Sequence, residues 1–112
     1  MTVRELAQRP DFTLLTGETS LDKPVGHIFC CDLLSVAMSK APIGCVWVTV
    51  MGNVNSIAVA VLTDAACIVL AEGMALDAVA AEKAAEQDVA VLSTSLPVFD
   101  ASLLVHQLAA QL

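Results

Sequence analysis

The sequence predicts an α/β fold, a three-layer α/β/α domain with a largely parallel sheet. Three observations point to it. Short, buried-type strands alternate with helical segments along the chain. Residues 45–73, CVWVTVMGNVNSIAVAVLTDAACIVLAEG, place a buried strand, a turn with two asparagines, an apolar connector and a second buried strand in one crossover unit. The apolar share is 57%, carried by Ala, Val and Leu, with one Trp, three Phe and no Tyr. Small and branched aliphatics suit a layered core.

Each element has its own signal. Thr2-Val3-Arg4-Glu5 has capping-box spacing, so a short helix is expected to follow Thr2 and stop before Pro10. Residues 12–16, FTLLT, read as a strand ending at Gly17. The run 26–31, GHIFCC, is strand-like, and Asp32 suits the cap of a helix reaching about Lys40. Leu33, Leu34, Ala37 and Met38 give that helix an apolar stripe. Pro42 and Gly44 precede the strand CVWVTV. The connector SIAVAVLTD alternates like a strand yet is apolar all round like a buried helix. A cap at Asn53 or Asn55, and the need to cross between two buried strands, favour helix. Residues 67–71, CIVLA, are another buried strand, closed by Glu72-Gly73. LDAVAAEKAAEQD is the clearest helix, with Asp77 near its start, and VAVLS at 89–93 is the next strand. Pro97 opens a terminal helix with the stripe Ala101, Leu104, Val105, Leu108 and Leu112. Gly17, Gly52 and Gly73 read as turn residues needing permissive backbone angles.

The 112 residues suit one domain, residues 1–112. Twelve acids and five bases give a net charge of −7, and the bases form no cluster. A phosphate backbone needs clustered cations, so nucleic acid is not an expected partner. Residues 41–63 carry no charge, but Pro42, Gly44, Thr49, Gly52, Asn53, Asn55 and Ser56 fall within them. Those groups argue for a strand and helix rather than a membrane span. The first residues, MTVRELAQRPDF, lack the apolar core of a signal peptide, and a cytoplasmic location is expected. The excess of small aliphatics favours self-association as a homodimer, through the connector around Ile57–Leu62 or the terminal helix around Leu103.

No catalytic signature is present. Cys30, Cys31, Cys45 and Cys67 fit no zinc spacing and read as buried, reduced thiols, so neither metal nor cofactor is expected. His27, at the edge of an apolar run, reads as a satisfied structural histidine. There is no G-x-x-x-x-G-K-[ST] loop for a kinase. Ligands of open α/β sheets sit beyond the carboxyl ends of the strands. The candidate ligand-binding residues there are Asp32, Thr49, Asn53, Asn55 and Ser95, beside helix starts whose N–H groups suit a phosphate or carboxylate. Asp32, Asn53 or Asn55, and Ser95 also suit plain helix capping.

The chain resembles the DRTGG-domain proteins, and most closely the small stand-alone ones found near iron hydrogenase genes. The residues that carry the resemblance are LLTG (14–17), CDLLS (31–35), VWVTV (46–50), Asn55 with AVA (58–60), AACIVLAEG (65–73) and the terminal strand and helix. The motif itself stands here as Asp22-Lys23-Pro24-Val25-Gly26-His27, with Lys for the arginine and His for the last glycine. Lys offers a point charge where arginine offers a planar fork. The resemblance implies a fold like the N-terminal domain of HPr kinase and a dimeric, regulatory domain without a catalytic residue. The function expected is a non-enzymatic domain that binds a nucleotide or other anionic metabolite. The alternative is an accessory protein acting in assembly or electron-transfer complexes beside iron hydrogenases.

Overall fold

A computed structural model describes residues 1–110. Five strands form one sheet: β1 (Thr13–Thr16), β2 (His27–Cys30), β3 (Cys45–Thr49), β4 (Cys67–Leu70) and β5 (Val91–Ser93), in the order β1-β5-β4-β3-β2. Strands β2 to β5 run parallel, and β1 lies antiparallel on β5. Among the described residues five α-helices cover the sheet: α1 (Val3–Ala7), α2 (Leu34–Lys40), α3 (Val54–Thr63), α4 (Ala78–Gln87) and α5 (Val98–Ala110).

Alternation along the strands assigns the two faces. Cys45, Trp47, Ile68, Leu70 and Val91 pack with Ala37 of α2, Ile57 and Ala60 of α3, and Ala80 and Ala84 of α4. Val46, Val48, Cys67, Val69 and Leu92 pack with Val3 and Leu6 of α1 and Ala101 and Val105 of α5. The layers are therefore α2–α4, sheet, and α1 with α5. Strands β3 and β4 are buried along their whole length, which is why they read as continuous apolar runs. The ambiguous connector is a helix, α3, because it must return the chain from one parallel strand to the next.

Several expectations change. Thr2 stands at the start of α1 but makes no side-chain cap; its backbone bridges to Pro24 instead, and Arg4 reaches Asp22 at 3.1 Å. The motif-like segment 22–27 thus ties α1 down at the amino end of β2. Asp32 does not cap α2, whose cap position is Leu33 with no side-chain bond. Of the α2 stripe, Ala37 is buried and Leu34 half-buried, while Leu33 and Met38 are exposed. His27 is exposed at the start of edge strand β2 rather than satisfied in the interior. Cys45 and Cys67 are buried, but Cys30 is exposed and Cys31 only partly covered. Leu112 of the terminal stripe lies outside the described residues. No helix among the described residues is long and apolar enough to cross a membrane.

Candidate ligand cleft at the carboxyl edge of the sheet

Four loops leave the carboxyl ends of β2 to β5, and side-chain and backbone hydrogen bonds stitch them together. After β2, the Asp32 carboxylate accepts from the Thr49 hydroxyl at 2.7 Å and from Val50 N–H at 3.0 Å. Thr49 is fully buried, so its hydroxyl needs that acceptor. After β3, Asn53 caps α3 by accepting from Ser56 N–H, and Ser56 donates its hydroxyl to Met51 O. Gly52 O then accepts from Asp77 N–H, while Asp77 caps α4 through Ala80 N–H. Gly52 needs no positive φ; it is a glycine because a Cβ there would lie 2.3 Å from Ala75 O. Gly17 and Gly73, in contrast, do take positive φ.

The loop after β4 is clamped to the loop after β5. Glu72 N–H donates to Leu96 O, Gly73 N–H donates to Thr94 O, and the Glu72 carboxylate accepts from Val98 N–H at 2.9 Å. Glu72 holds a left-handed φ of 61° to do so. The first N–H of α5 is therefore satisfied by a residue 26 positions earlier, not by Ser95.

An open cleft of about 780 Å³ lies beside this clamp. Its walls are Gly73–Leu76 after β4, Ser93–Ser95 at the end of β5, Pro10, Asp11, Thr13, Leu15 and Thr16 of the β1 region, and Ala81 of α4. Its lining lies on the face that α4 covers, between the edge strand β1 with its partner Ser93 and the 73–76 turn that leads into α4.

Of the predicted ligand-binding residues, Ser95 lines this cleft. Asp32, Thr49 and Asn53 belong to the β2–β3 end of the same edge and are engaged in its internal hydrogen bonds. Asn55 is exposed within the first turn of α3. The structure thus does not gather the five at one point. Gly73, Ser93 and Thr94 stand at carboxyl strand ends that strand direction marks, whereas Asp11, Thr13 and residues 74–76 are not marked by it, because β1 reaches the site only through its antiparallel pairing with β5. Among the described residues no cluster of His, Cys, Asp and Glu is arranged to hold a metal.

No protein-family model matches the chain, and no curated protein matches it in sequence. In structure it is similar to the CBS and DRTGG domains of the regulatory region of Clostridium perfringens pyrophosphatase, solved in complex with the activator diadenosine tetraphosphate. The TM-score is 0.70 at 14% identity, over 92% of this chain and 48% of that one. The chain thus spans about half the length of that structure. The likeness shows a shared fold, the DRTGG-like α/β fold that the sequence resemblance implies.

Proposed function

We propose that this chain is a non-catalytic regulatory domain that binds a small metabolite, with nucleotides as the leading class among anionic metabolites, and that it works as a cytoplasmic homodimer. The observation that carries the reading is the linked carboxyl edge. A molecule held by the β4–α4 and β5–α5 loops touches segments bonded directly to the starts of α4 and α5, one in each helical layer. Binding there would alter both outer layers, as a regulatory domain requires.

Two further points support it. The acids of this edge, Asp32 and Glu72, serve as acceptors for backbone N–H groups, a structural duty rather than that of a general base. The pyrophosphatase regulatory region, about half of which shares this fold, is complexed with a nucleotide activator.

Thermal unfolding tests the proposal, because a ligand that binds only the folded state raises the melting temperature. Adenosine, guanosine, ATP and GTP at millimolar concentration are the probes. At about 100 times its dissociation constant a true ligand adds about 2.7 kcal/mol, several degrees for a domain of this size. A flat response to all four would remove nucleotides from the reading.

A further inference from the structure

We infer that the cleft between β1, the end of β5 and the 73–76 turn recognises the neutral nucleoside portion of its ligand, the heterocycle and its sugar hydroxyls, and not the phosphates. This inference rests on the ligand-binding reading above and gives it a place and a chemistry.

The lining carries the argument. Hydroxyls of Thr13, Ser93, Thr94 and Ser95 offer both donors and acceptors. The Ser93 and Ser95 hydroxyls have no protein partner among the described residues, and Thr94 Oγ1 accepts from Leu96 N–H, which leaves its own proton to donate. The same lining holds Leu15 and Met74, each more than 40% exposed, a large apolar area for a small domain to leave bare inside a concave site. Aliphatic and thioether groups suit the faces of a flat heterocycle, and hydroxyls suit its edge. No aromatic side chain lines the cleft, so the ring platform on which sugars are usually stacked is missing.

Charge separates nucleoside from phosphate. None of the five bases lines the cleft, while Asp11 does. Arg9, the nearest cation by sequence, is held by Asp11 at 3.6 Å and stays outside the wall. A polyphosphate would meet no unpaired cation, only the Asp11–Arg9 pair, and the field of a chain carrying −7. A carboxylate is instead a good acceptor for sugar hydroxyls or an exocyclic amine. The volume of about 780 Å³ lies well within the range of small-molecule sites.

Calorimetric titration of the whole chain at low salt with adenosine, guanosine, magnesium-free ATP and inorganic phosphate tests this. The expected result is that a nucleoside binds at least as tightly as ATP, and that phosphate alone does not bind. Ser95→Ala should weaken the nucleoside about three- to tenfold with an unchanged melting temperature. Asp11→Asn should raise ATP affinity relative to the nucleoside by about threefold, because it removes a like charge. ATP binding without nucleoside binding overturns the inference and leaves the ligand-binding reading in place. So does a nucleoside affinity that is lost in Asn55→Ala but untouched by Ser95→Ala and Asp11→Asn. Silence toward all four probes overturns the inference together with the nucleotide reading it rests on.

Discussion

Burial makes the protonation of two thiols part of the stability of this fold. Desolvation pushes Cys67 up to about 12, with the neighbouring Cys45 adding to the rise and Lys23 opposing it. Desolvation also pushes Cys45 up to about 11, partly offset by a backbone hydrogen bond. Both start from 9.0 in the unfolded chain, so the folded state holds these protons more tightly. Their contribution is fully present below pH 9 and is lost as pH climbs from 9 through the folded values. The urea midpoint should therefore fall between pH 9 and 11, and Cys67→Ala should flatten that fall. Parallel profiles for the two proteins would show that the thiols do not carry it. Gly52 provides a steric test at the same scale. A methyl group at 2.3 Å from Ala75 O forces the 73–76 turn to move, so Gly52→Ala should lose more than about 2 kcal/mol in urea unfolding. An unchanged midpoint would mean that the turn yields freely.

The helices show where sequence was sufficient and where it was not. α3 was legible because ten residues without a charge must be buried on one side and must bridge two parallel strands. Local chemistry narrows its cap to Asn53 or Asn55, of which Asn53 serves, and puts Asp77 at the start of α4. The start of α5 was legible from Pro97, but the partner of its first N–H was not, because Glu72 is brought there by tertiary contact rather than by neighbouring residues. The candidate site suffered from the same limit. Placing ligands at the carboxyl edge follows from strand direction, but adding Asp11, Thr13 and Leu15 to the end of β5 requires knowing that β1 pairs with that strand. Helix ends also supply a stabilising change. α3 closes on Asp64 at φ 54°, a left-handed residue with no hydrogen bond from its side chain among the described residues. Asp64→Gly should raise stability by about 0.5–1 kcal/mol, read as a higher melting temperature. Asp88 closes α4 in the same conformation, but its carboxylate accepts from the Thr19 hydroxyl, so Asp88→Gly should gain less. Equal gains at both sites would show that the Thr19 bond contributes nothing.

For the whole molecule the open question is what covers the outer face of α3. Ile57, Val59 and Ala60 point into the core, but Val61 and Leu62 are exposed, Leu62 at 70%. The terminal helix offers a rival in Phe99 and Leu103, with Asp100 beside them. Charge favours α3. Two copies carrying −7 each repel one another wherever acids meet, and α3 is a ten-residue helix without a charged side chain. A second copy of this chain laid on α3 would bury Val61 and Leu62 with the least like-charge contact. Light scattering at high micromolar concentration should therefore report a dimer, and Leu62→Lys should shift it toward monomer while the monomer stays folded by circular dichroism. Phe99→Lys should leave the dimer intact. The roles would be reversed if Phe99→Lys dissociated the dimer and Leu62→Lys did not, and a monomer for the unmodified chain at that concentration would end the dimer proposal on either helix.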